Sequence, residues 1–129
     1  MAIRDIGDRR DIERLLRAFY QRVFADELIG PIFVDVAQLD LEAHLPIMCD
    51  FWETVLFRTG SYKRNAFRVH ADLHSQCALA PPHFLRWVSL WVATVDSRHA
   101  GRYAELAKLR AGRIADSIGR RLISEPRPS

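Results

Sequence analysis

Cysteine is scarce. Cys49 and Cys77 are the only two among 129 residues, and neither stands in a CxxC pair. Cys49 falls on an apolar helical face, so a small buried thiol is its expected role, and this usage fits a reducing cytosol. Lysine is scarcer still in proportion, two against 17 arginines, an excess that a GC-rich genome explains as readily as function. Basic runs are missing. Arg9-Arg10 and Arg120-Arg121 are the densest spots, and the formal charge is only +3. Both spots read as solvated helix faces, and no nucleic-acid partner is expected. No apolar stretch nears the roughly 18 residues of a membrane span. The opening Met1-Ala2-Ile3-Arg4-Asp5 turns charged at once, which does not fit a signal peptide. The expectation is a cytoplasmic protein without a membrane partner. Sustained apolar–polar alternation is also lacking, so no sheet is expected, and there is no internal repeat or low-complexity segment.

What remains is an ordinary globular composition, 49% hydrophobic and 27% charged. The length fits one domain, 1–129, with an ordered helical core from about 8 to 122. A domain of this size buries roughly two-thirds of its unfolded surface, enough for a core and one internal pocket. The helical period dominates. Ile12, Leu15, Leu16, Phe19, Val23 and Phe24 recur mostly three or four apart, predicting a helix over about 8–27 with Asp8 as N-cap. Gly30-Pro31 ends it, and a short turn carries Ile32-Phe33. A second helix follows Asp40, bends near Pro46 and closes at Gly60. Pro81-Pro82 opens a third, with Phe84, Trp87, Val88, Trp91, Val92 and Val95 on its apolar face. Gly101 starts the last, with Ala104, Ala107, Ala111, Ile114, Ala115, Ile118 and Leu122 inward.

Four helices suit a plain bundle, but bundles join neighbouring helices by roughly two to eight residues. Here about twenty poorly periodic residues separate the second and third helices, and they hold His70. Long irregular connections in compact domains are usually functional. His70 and His74 stand at i, i+4, a zinc-compatible spacing. No glutamate completes an HExxH motif, however, and His44 is the one obvious third ligand. Each residue also has a plain role: His44 as a hydrogen-bonded core histidine, Tyr20 reaching solvent, Trp87 and Trp91 as core, His83 and His99 at the surface. Histidines on separate helical segments, ringed by large aromatics, point instead to a site that grips something flat and metallic.

The order Phe19-Tyr20, Gly30-Pro31-Ile32-Phe33, His44-Leu45-Pro46 with Asp50-Phe51-Trp52, Tyr62 through His70, and His83-Phe84-Leu85-Arg86-Trp87 resembles the truncated haemoglobins, within them the third group. The resemblance runs from about residue 8 to 122. The Gly-Gly signatures of the other truncated groups are missing, which fits the third. It implies an all-α, shortened globin fold, a two-over-two helical sandwich around haem b. In that frame His70 is the proximal iron ligand. Tyr20, His44 and Trp87 take the distal polar positions. Phe33, Met48, Trp52, Tyr62 and Phe67 surround the haem, with Leu73. Arg68 and His74, with Arg64, lie where propionates emerge. Whether His44 swings in to bind iron or out to open a path stays open.

The resemblance implies diatomic ligands: oxygen, nitric oxide and carbon monoxide. A dioxygen ligand on ferrous iron carries partial negative charge, so donors beside it hold it. The phenol and the indole both donate, each bond being worth on the order of 1–2 kcal/mol. Two or three donors imply slow release, which suits oxygen, peroxide or nitric oxide redox chemistry with a reductase partner better than bulk transport. One rival is a ligand binder or sensor without turnover, acting through a partner. The other is a haem-free helical interaction module.

Overall fold

The computed structural model describes residues 3–60 and 79–124, with side chains through Arg121. Among these residues all regular structure is helical: α1 (Arg9–Ala25), a π-helical turn (Ile32–Val36), α2 (Leu41–Phe57), α3 (Pro81–Arg98) and α4 (Arg102–Ser124).

Local chemistry sets most of the boundaries. Asp8 is extended and its carboxylate accepts from Asp11 N at 3.1 Å, satisfying one of the orphan donors of α1. The helix stops at Ala25 rather than near 27. The Asp26 carboxylate accepts from Leu28 N and Ile29 N, both at 3.0 Å, and so starts the next turn in competition with α1. Gly30 lets the chain double back closely, because a Cβ there would lie 2.8 Å from Phe24 O. Asp40 caps α2 as its sequence position suggests, accepting from Ala43 N. Pro46 lies inside α2, and the Arg9 guanidinium donates to its carbonyl at 3.2 Å and to Asp50 at 2.8 Å, and also pairs with Glu53. Gly60 does not close this helix. Arg58 does, in the left-handed region at φ 57°, with its N–H on Thr54 O. Pro81 and Pro82 open α3 where their missing N–H groups cost nothing. His83 is no idle surface residue: its Nδ1 accepts from Ala80 N at 2.9 Å and caps the helix.

Helix α1 packs on α2 and α3, and α4 packs on α2 and α3. Helices α3 and α4 run antiparallel, with Trp91 against Ala107 and Phe84 near Gly119. This is the two-over-two sandwich that the sequence resemblance implies. At its centre Trp91 is 1% exposed, stacked on Trp52 at 4.6 Å and meeting Phe19 edge-on at 5.0 Å. Its Nε1 donates to Ala107 O at 3.1 Å. Ala104, Ala107 and Ala111 are fully buried, and their small side chains let α4 approach closely. Cys49 is buried as expected, and burial pushes its thiol pKa up.

The N-terminal segment closes the molecule. The Asp5 carboxylate accepts from Tyr103 N at 2.9 Å and Ala104 N at 2.8 Å, capping α4 from 98 residues away. Arg4 O accepts from Ala100 N at 3.2 Å and lies 3.2 Å from His99 Nδ1. His99, expected at the surface, is therefore only 8% exposed, because this segment folds over it.

Candidate functional site

Tyr20 lies on the inner face of α1, one residue past Phe19, so the helix turns its ring toward the π-helical turn. It is 7% exposed. Phe19, Phe24 and Phe33 surround it with ring centroids at 5.0, 5.8 and 6.0 Å. Burial alone pushes its phenol pKa well above 10.0, so the hydroxyl keeps its proton and acts as a donor. Among the described residues that hydroxyl has no hydrogen-bond partner.

Trp87, carried by α3, is half-buried. Its ring meets Phe19 edge-on at 5.9 Å and lies parallel to Trp91 at 6.5 Å. The two tryptophans one turn apart differ in one respect. Trp91 spends its N–H on the backbone of α4, while that of Trp87 has no partner among the described residues. Phe19 thus separates two uncommitted donors, the Tyr20 phenol and the Trp87 indole. Phe33 on the π-helical turn and Met48 on α2 are half-buried and pack against the same core.

Not every expected member joins this group. His44 is exposed on α2, one turn before Met48. Trp52 is buried within the core and stacked on Trp91. His70, Tyr62, Phe67, Arg68, Leu73 and His74 lie outside the described residues, as do Arg64 and Cys77. Among the described residues no three or more His, Cys, Asp or Glu side chains gather to hold a metal ion. No helix among them is long and apolar enough to cross a membrane.

The polar centre around Asp11 was not foreseen. Asp11 is almost fully buried, accepting from Gly7 N at 2.8 Å and paired with Arg4. Its spacing looks like that of any first-turn acid, and the partners that bury it come from the irregular segment before α1. A second feature, a groove between α2 and α4 lined by Arg58, Arg102 and Arg110, was likewise hidden, since each arginine alone reads as a solvated helix residue.

The wall of aromatic and thioether side chains, with two donors left unspent among the described residues, fits a flat apolar prosthetic group that binds a small polar ligand. No family model matches the chain. It is 25% identical over 88 residues to the group 3 truncated hemoglobin ctb of Campylobacter jejuni, a match spanning 66% of this chain and 64% of that protein's length. The chain thus matches somewhat less than two thirds of the curated relative. The crystal structure of a group III truncated hemoglobin from Campylobacter jejuni shares the fold at a TM-score of 0.81, with 22% identity, covering 94% of this chain and 95% of that one. The chain has the all-α truncated-globin fold, and the sequence match together with the shared fold supports its assignment to the group III truncated haemoglobins.

Proposed function

We propose that the protein binds haem b, with His70 as axial ligand, and takes up oxygen and other diatomic gases for redox chemistry on oxygen, peroxide or nitric oxide rather than for bulk transport. One observation carries this reading: Tyr20 and Trp87 flank Phe19 with donor groups that nothing among the described residues engages. When bound, the haem supplies the iron that holds the gas and exchanges electrons with it.

The chain's own residues do the rest. Phe33 and Met48 present apolar surface to the ring and exclude water, so a hydrogen bond on this side is not diluted by solvent. The Tyr20 hydroxyl would donate toward the partial negative charge on a bound gas. Burial keeps its proton in place across the physiological range. The Trp87 indole can only donate, which fixes its sense. Both donors are preorganised by ring contacts, so little reorganisation is needed when charge develops. His44 is exposed on α2, one turn before Met48.

Reconstitution tests the core of this reading. The wild type should take up one haem with a strong Soret band, and His70→Ala should lose the haem or change its spectrum. A wild type that takes up no haem overturns the proposal. Tyr20→Phe and Trp87→Phe should each speed oxygen dissociation about tenfold, the equivalent of one lost hydrogen bond. Unchanged off-rates in both would remove the donor argument. Turnover of peroxide or nitric oxide with a supplied reductant separates an enzyme from a ligand binder.

A further inference from the structure

The last turn of α2 and the first half of α4 enclose a groove of about 670 Å3. Tyr20, Phe33, Met48, Trp52 and Trp87 are all absent from its lining. Much of the lining is apolar: Val55, Leu106, Leu109 and the edge-on ring pair Phe57–Tyr103 at 4.9 Å. Leu109 is 51% exposed there, a large aliphatic side chain left open to solvent. The rim is basic. Arg58 and Arg102 flank the Phe57–Tyr103 contact at one end. Arg110 lies eight residues further along α4, roughly 12 Å at the helical rise.

Three guanidiniums line this one groove. Arg4, Arg9, Arg14, Arg17, Arg86 and Arg120 each pair with a carboxylate. Arg58, Arg102 and Arg110, like Arg10, Arg22, Arg98 and Arg113, have no ion-pair partner among the described residues, and the Arg102 guanidinium lies over the Tyr103 ring, 5.7 Å from its centroid. Glu105, the one acid lining the groove, is held by Lys108 Nζ at 2.9 Å. The first N–H groups of α4 are already taken by Asp5, so the positive character comes from the guanidiniums and not from the helix end. The volume lies in the range of small-molecule sites, whereas a protein partner would need a broad and flatter face. A guanidinium fork matches a carboxylate in geometry as well as charge.

We propose that this groove binds an amphipathic carboxylate, the anion of a medium- or long-chain fatty acid. Its head group sits between Arg58 and Arg102, and its chain lies over Leu106 and Leu109. The lining shares no residue with the distal group described above, and the test rests on the haem reading only in being run on the haem-loaded chain.

The test titrates the haem-loaded chain with dansyl-undecanoate below its micelle concentration and follows dansyl fluorescence, with the Soret band recorded alongside. Saturable one-site binding is expected with the Soret band unmoved. Dodecanoate should displace the probe, and dodecanol should need at least about tenfold more, since it lacks the charge. Arg58→Gln with Arg102→Gln should weaken binding about tenfold, and Leu109→Asp should abolish it, with circular dichroism unchanged in both. The proposal is overturned by equal competition from acid and alcohol, by wild-type affinity in folded arginine variants, or by binding only in haem-free protein. Capture of an acidic protein surface with no affinity for the free acid overturns it as well.

Discussion

Trp91 and Trp87 show how far a sequence pattern reaches and where it stops. One helical turn apart on the same apolar face, both read as core. The fold separates them: Trp91 is buried with its N–H on Ala107 O, and Trp87 is half-buried with its N–H uncommitted among the described residues. That distinction arises from how closely α4 approaches, which no spacing within α3 encodes. Trp91→Phe should therefore cost about 2–4 kcal/mol, combining a lost hydrogen bond with a cavity under the Trp52 ring. Trp87→Phe should cost less than about 1 kcal/mol in urea denaturation of the haem-free chain. Equal losses would show that the indole hydrogen bond to α4 contributes nothing. Tyr20 is the better-read residue of the candidate site. Its place beside an apolar stripe suggested a hydroxyl reaching solvent, whereas the ring is buried among three phenylalanines and the hydroxyl has no partner among the described residues. His44 was placed by resemblance alone, and its exposure follows from the surface that α2 presents.

At the scale of elements, the helices were legible because period, N-caps and prolines agree with one another. The mismatches come from a local side-chain turn, from unusual backbone or from groups distant in sequence. Arg58 closes α2 before Gly60 can, and Asp26 diverts the chain before α1 reaches 27. The start of α4 has the most informative error. Gly101 was read as a simple helix opener, yet it stands at φ 136°, and a Cβ on it would lie 2.7 Å from the Asp5 side chain that caps the helix. Two costs are thus superimposed at one residue. Asp5→Ala should cost about 1–2 kcal/mol as a lost cap. Gly101→Ala should cost about 1–3 kcal/mol from backbone strain alone, and more where the Cβ expels the carboxylate. In the double variant there is no carboxylate left to expel, so the combined loss should fall short of the sum by about 1 kcal/mol. Chemical denaturation of the four proteins reads the coupling directly. Strict additivity would leave backbone strain as the whole effect and rule out the steric link between the two residues.

For the molecule as a whole, the two-over-two arrangement followed from resemblance, while its closure did not. The segment before α1 has no periodicity, and nothing local announces that Asp5 and Asp11 join the first helix to the last. Their chemistry makes that closure dependent on acid. For Asp5, burial alone would raise the carboxyl pKa, but N–H groups of Tyr103, Ala104 and Ile6, and the charge of His99, bring it below the ordinary 3.8. For Asp11, burial is likewise outweighed by Gly7 N–H and the Arg4 guanidinium, with His99 adding to the effect. Depressed folded-state values mean that the unfolded chain takes up protons first as pH falls. The stabilisation is complete above about 3.8 and is lost through the window below it, with a slope of up to about 1.4 kcal/mol per pH unit for each group. Thermal melts should hold steady from neutrality to about pH 5 and then fall. Asp5→Asn with Asp11→Asn should be less stable at neutral pH and flatter in acid, since neither amide titrates. Amide exchange should locate the acid-labile unit at the start of α4, where Tyr103 and Ala104 N–H lose their acceptor, before the Trp91–Ala107 core opens. If the double variant keeps the wild-type acid slope, other carboxylates drive the transition and the N-terminal closure is not the acid-sensitive link between the helices.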